Sequence, residues 1–109
     1  GEYMAKISYR ADINEQSAGT IRMMLLDQAM DFAAKLFQDS RCSEVVRYML
    51  MPHLEVLDKY NNKKVAQVAK IVFPRSSAEK INWNNMAWNV FRDIVESDGQ
   101  LWFIPALRK

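Results

Sequence analysis

Polar and apolar residues alternate along residues 5–11, AKISYRA, with Ile7 and Tyr9 on one side and Lys6, Ser8 and Arg10 on the other. That period of two predicts a half-exposed strand whose outward face is basic and polar. Asp12 follows with Glu15 three positions on, a pattern that can start a helix, although Gly19 weakens any helix running through it. Residues 20–38 change period. Ile21, Leu25, Ala29, Phe32 and Leu36 make one helical stripe and Met23, Leu26, Met30, Ala33 and Phe37 a second. Only Asp27, Gln28, Asp31, Lys35 and Gln38 form a polar seam. So wide an apolar surface predicts a helix buried on two sides, one of them available to another subunit.

After a turn at residues 39–42, Ser43 has the chemistry of an N-cap and Glu44 suits the first turn of a helix. Val46, Leu50, Leu54 and Leu57 then fall on one helical face, SEVVRYML leading into it. Pro52 requires either a kink near Tyr48 or a new helix that starts with Pro52 in its first turn. Asn61 and Asn62 mark a break. Residues 65–73, VAQVAKIVF, are ambiguous between helix and strand, and the expectation leans to a helix that runs out into an extended end before Pro74. Ser76 and Glu79 form a capping-box pattern, and Trp83, Met86, Ala87, Val90 and Ile94 predict a helix that stops at Gly99. Residues 100–104, QLWFI, have the content of a short strand ended by Pro105, and the two terminal strands are expected to be able to pair.

The sequence therefore predicts a mainly α (α+β) fold, a small helical domain of three to four helices with one or two short terminal strands. With 109 residues it fits one domain, 1–109, in which residues 1–3 are readable as a cloning remnant before Met4. Fifteen Lys and Arg stand against thirteen Asp and Glu, a net +2 that neither demands nor excludes a nucleic-acid partner. Cys42 is the single cysteine, so no internal disulfide forms, and a reducing, cytoplasmic setting is the default. No run of about 20 apolar residues provides a membrane span.

Candidate chemistry is sparse. One histidine, His53, and one cysteine cannot build a zinc site, and three glycines cannot build a phosphate loop. Cys42 beside Arg41, close to an expected helix start, has the setting of a lowered thiol pKa, but no nucleophile motif accompanies it. Asp27 and Asp31 read as a solvated seam rather than an acid-base pair, and His53 as a surface or capping residue. A non-enzymatic protein with no cofactor, no metal and no small-molecule substrate is the expectation. Met23 and Met30 belong to a methionine-rich helical surface, and Trp88, off the main stripe, is the candidate anchor for a protein partner. Lys59, Lys63, Lys64 and Lys70 gather around the Asn61 turn, where they can meet phosphate or simply water.

A basic alternating strand, a helix, a polar turn and SEVVRYML together resemble the ribbon-helix-helix family of DNA-binding proteins over residues 5–57. In that family two chains pair their first strands into a ribbon that enters the major groove. The resemblance implies a homodimer in which Lys6, Ser8 and Arg10 read the groove. It also implies that the backbone around Ser43 and Glu44, at the start of the second helix, holds a phosphate. The chain departs from the family in its long interval before SEVV, in a turn without glycine and in Pro52. The function expected is a small dimeric DNA-binding regulator or accessory factor, the alternative a protein-interaction module, adaptor or inhibitor, using the Met- and Trp-rich helices.

Overall fold

The computed structural model describes residues 3–14 and 16–108. The chain runs β1 (Tyr3–Arg10), α1 (Ala18–Gln38), β2 (Val45–Leu57), β3 (Lys63–Gln67), β4 (Ala69–Pro74), α2 (Arg75–Ala78), α3 (Trp88–Asp98) and β5 (Gln100–Phe103). Short 3₁₀ turns lie at Ser40–Cys42, Trp83–Asn85 and Pro105–Leu107. The strand order is β1-β2-β4-β5, with β3 also paired to β2. β1 runs parallel to β2, while β3 and β4 run antiparallel to β2 and β5 antiparallel to β4. This five-stranded mixed sheet corrects the mainly α expectation.

Two misread periods and one misplaced helix start account for the correction. Residues 43–57 do not form a helix: Ser43 and Glu44 are a turn, and VVRYMLMPHLEVL is the long strand β2. Tyr48, Leu50 and Pro52 are buried at every second position, so the period is two, and Tyr48, which a helical reading leaves off the Val46 and Leu50 stripe, is a core residue. Residues 63–74 are strands β3 and β4 rather than a helix. The helix expected from Ser76 is one turn at Arg75–Ala78, and α3 starts only at Trp88. The terminal strands do not pair; β1 and β5 occupy opposite edges.

Pro52 is accommodated because the sheet bulges beside it. The register sums shift between His53↔Gln67 and Leu50↔Ile71, so one extra residue, Val68, stands in the β3–β4 segment. Val68 donates its N–H to the Pro52 carbonyl at 3.0 Å, while proline itself has no N–H to offer the ladder. The bulge leaves both Val68 and Ala69 buried.

All the covering elements lie on one side. Leu26, Ala29 and Ala33 of α1 and Phe91 and Val95 of α3 pack with Tyr48, Leu50, Ile71 and Phe73 of the sheet. A second cluster gathers Leu25, Val68, Ala69, Ala11 and Leu107. α1 begins five residues later than an Asp12 cap predicts, with Ser17 accepting from the Thr20 N–H at 3.3 Å; Glu15 lies outside the described residues. Its two stripes are both used within this chain, one toward the sheet and one toward α3 and the 81–88 segment, where Phe37 meets Trp83 at 6.2 Å. The apolar width of α1 thus reflects a helix wedged between a sheet and a second helix.

Arg75 closes the end of the core. Its Nη1 donates to the Cys42 and Val45 carbonyls at 3.0 and 3.2 Å and to the Tyr48 hydroxyl at 2.8 Å, and its guanidinium lies 5.1 Å from the Phe37 ring centroid. Gly99 ends α3, as its place in the sequence predicts, with its N–H donated to Val95. Its φ of −141° is not left-handed, so a different constraint selects glycine: a Cβ there would sit 1.8 Å from the Val72 carbonyl oxygen. No helix is long and apolar enough to cross a membrane among the described residues.

Candidate nucleic-acid interface

With both long helices and the connecting segments on one side, the other face of the sheet is uncovered among the described residues. Strand alternation assigns its side chains. β1 buries Ala5, Ile7 and Tyr9 against the core and turns Met4, Lys6, Ser8 and Arg10 outward, all four exposed. β2 adds Arg47, Met49, Met51 and His53 across the parallel ladder, where Lys6 faces Met49, Ser8 faces Met51 and Arg10 faces His53. β4 contributes Lys70 and β5 Trp102, a directly opposed pair. Val72 shares this face but is buried, flanked across the ladders by Met49 and Gln100.

The surface is basic with apolar patches. Lys6, Arg10, Arg47 and Lys70 lie on it, and Glu55 toward the hairpin end takes ion pairs from Arg10 and Lys63, each at 3.8 Å. Arg10 and Glu55 remain about half to two thirds exposed, so water screens that pair and leaves the field of the face positive. His53 Nδ1 sits 2.9 Å from the Met51 carbonyl, which orients the ring along its own strand. Trp102 and Lys70, with Gln67 and Gln100, line a shallow hollow of about 350 Å³. An indole beside an ammonium on an open sheet is a place where a base can stack and its phosphate be neutralised.

Beyond β1 the antiparallel ribbon of β2 and β3 continues alone. Its turn is built by Asp58, whose Oδ1 accepts from the Tyr60 and Asn62 N–H groups at 2.8 and 2.9 Å, with Asn61 in the left-handed region at φ 64°. Those backbone donors hold the Asp58 carboxyl below the usual range. The ribbon exposes Leu57, Tyr60 and Val65 together with Lys59, Lys63 and Lys64. Lys70, grouped with these lysines by sequence, belongs instead to the sheet face.

Lys6, Ser8 and Arg10 are brought together as the alternation predicts. Ser43 and Glu44 are not near Arg10: they precede the β2 residues that face the start of β1, whereas Arg10 faces His53, roughly 30 Å along the strands at about 3.3 Å per residue. No α-helix begins there: Ser43 and Glu44 form a turn that leads into β2, and the Ser43 N–H donates to the Ser40 carbonyl at 3.3 Å. Trp88 is half-buried rather than an exposed anchor, its ring 5.3 Å from the Arg92 guanidinium carbon. Met30 packs against the core, and of the helical methionines Met23 is at the edge of exposure. Arg41 is engaged by Asp39 in a two-pronged pair, and Cys42 ends a 3₁₀ turn rather than starting an α-helix. Asp27 and Asp31 are both exposed on α1. Arg47 and Trp102 escaped sequence reasoning, and Lys70 was grouped with the turn lysines, because their shared face exists only once β2, β4 and β5 are paired. No group of three metal-ligating side chains occurs among the described residues.

No protein-family model, no curated protein and no solved structure matches this chain.

Proposed function

We propose that this chain is a non-enzymatic nucleic-acid-binding protein, a small regulator or accessory factor, that uses the uncovered face of its sheet. The observation that carries the reading is the gathering of Lys6, Arg10, Arg47 and Lys70 with Trp102 on one helix-free surface. Four adjacent strands at about 4.8 Å spacing make a platform of roughly 15–20 Å, wider than the ~12 Å major groove. Such a platform suits a single strand laid across it, phosphates on the cations and a base on the indole. DNA is the substrate class favoured, as the outward Lys6, Ser8 and Arg10 first suggested. β1 is an edge strand, so a second copy has a free side on which to extend the sheet into a dimer.

The test is fluorescence anisotropy with a labelled single-stranded oligodeoxynucleotide and its duplex across a salt series. Binding to the single strand, falling steeply with salt and abolished in Lys6→Glu/Arg10→Glu while the far-ultraviolet spectrum is unchanged, is the expected result. Unaltered binding in that variant would sink the proposal. The exposed Leu57, Tyr60 and Val65 on the projecting ribbon favour a second reading, a protein-interaction module that uses the ribbon instead of the helical methionines. Leu57→Ser/Tyr60→Ser would then lose a protein partner and keep nucleic-acid affinity.

A further inference from the structure

The helix layer leaves a gap over β5. Between the first turns of α1 and α3 lies a cleft of about 500 Å³, on the helix side of the sheet and bordered at the β5 edge by Trp102. Its floor is apolar, made by Leu26, Leu101 and Phe103, and Trp88 lines it with half-buried indole surface. Arg22, Arg92 and Arg108 line the cleft as well, with Met23 and Trp102, and Glu96 is the carboxylate among the lining residues. Each guanidinium is held in place by the fold. Arg108 Nε donates to the Phe103 carbonyl at 2.8 Å, Arg22 Nη1 donates to the Leu107 carbonyl, and Arg92 lies over the Trp88 ring. A backbone carbonyl orients Arg108 without cancelling its charge. Arg92 also donates to Asp93, a neighbour two thirds exposed and so screened by water.

The volume falls inside the usual ~300–1,000 Å³ range of small-molecule sites, and an apolar floor with a few convergent polar groups is the ordinary composition of such sites. We infer that this cleft binds a small organic anion with a planar apolar body. The body lies on Leu101 and Phe103 beside Trp88, and the carboxylate or phosphate head is taken by Arg92 and Arg108, whose forked donors match either group. A neutral ligand would forgo the charge-assisted bonds, and an inorganic anion would leave the floor wet. This site does not rest on the nucleic-acid reading: Trp102 borders both the cleft and the hollow on the uncovered face, but the anion site is built from α1, α3 and Arg108.

The experiment is calorimetric titration with 2-naphthoate, 2-naphthyl phosphate and the neutral 2-naphthylmethanol, with the Trp88 indole N–H followed by NMR. At least one of the two anions binds about tenfold or more tighter than the alcohol and shifts the Trp88 signal. Which anion binds more tightly identifies the head group. Arg92→Gln/Arg108→Gln lowers the anions to the level of the alcohol. Gly19→Leu fills the cleft from α1, where an added Cβ meets only Arg22 Nη2 at an ordinary 3.7 Å, and removes binding of all three. Equal affinity for anion and alcohol, unchanged affinity in the arginine variant, retained binding in Gly19→Leu, or no binding at all overturns the inference.

Discussion

Replacing Gly99 by alanine tests whether close approach of backbone, rather than helix termination, selects glycine there. The added Cβ would lie 1.8 Å from the Val72 carbonyl oxygen, 2.7 Å from its carbonyl carbon and 3.0 Å from Phe73 Cα. All three are main-chain atoms of β4, an interior strand held by β2 and β5, so no flexible side chain can yield. Reaching an ordinary contact of 3.4 Å or more requires β5 and β4 to separate by well over an ångström beside the Val72↔Gln100 pair. Overpacking of this kind costs ~1–3 kcal/mol, and a ladder hydrogen bond lost with it adds ~1 kcal/mol. The expected loss is therefore ~2–4 kcal/mol, a lowering of the melting temperature by roughly 10 °C or more in a domain of this size. Gly19→Ala is the matched control. Its Cβ meets only Arg22 Nη2 at 3.7 Å, inside the first turn of α1, and alanine there stabilises by up to ~1 kcal/mol through helix propensity and reduced unfolded-state freedom. Urea denaturation of both variants, followed by tryptophan fluorescence, should move the two midpoints in opposite directions. Equal midpoints, or a Gly99→Ala protein as stable as the wild type, would refute the geometry assigned to the α3–β5 junction.

Other perturbations have equally definite signs. The Tyr9 hydroxyl is buried with no hydrogen-bond partner among the described residues, and burial pushes its pKa up to about 12, so Tyr9→Phe keeps the 5.2 Å stack on Phe32 and should stabilise by ~1 kcal/mol in thermal denaturation. Arg75→Leu removes the donor to two carbonyls and to the Tyr48 hydroxyl and should cost ~2–4 kcal/mol by urea midpoint; a loss under ~1 kcal/mol would show that water replaces it freely. Hydrogen bonds from Arg41 hold Asp39 at about 2, and those from Ser77 and Ser97 lower Asp98. Lowered carboxyl pKa values contribute stability that is full above the unfolded value near ~3.9 and lost as pH falls through the folded one, so acid titration of stability should drop between about pH 4 and 2. Asp39→Asn/Asp98→Asn should flatten that drop; an unchanged slope would place the acid sensitivity elsewhere.

Strand β1, helix α1, the end of α3 and strand β5 were all legible in the sequence, because each carries its own period or terminator. Lys6, Ser8 and Arg10 were legible as a face for the same reason, and the structure leaves that face exposed. The stretches read wrongly share one property. In residues 45–57 and 65–73 apolar residues are dense enough to satisfy a helical period as well as a strand period, and both stretches become strands paired on the same interior ladder. Val46, Leu50 and Leu54 are spaced for a helix face, yet Tyr48, Leu50 and Pro52 are what the core receives. Pro52 was read as a helix kink or a helix start, and the bulge that admits it to a strand depends on Val68, sixteen residues distant. Trp88 was placed outside the helix stripe because the stripe was phased from Trp83 and Met86, whereas α3 starts at Trp88 and buries Phe91 and Val95.

Local chemistry by itself determined which segments are strongly amphipathic, where turns fall at Asn61 and Gly99, and that Lys6, Ser8 and Arg10 share a side. Those properties depend on neighbours a few positions apart, so they survive in the sequence as patterns. Tertiary structure alone decided that β2 is a strand, that every helix lies on one side of the sheet, and that Arg47, Lys70 and Trp102 join Lys6 and Arg10. Strand pairing brings together residues many tens of positions apart, and its free energy comes from burying both partners at once. No single segment records that gain, which is why the uncovered basic face and the arginine-lined cleft emerge only when the chain is folded.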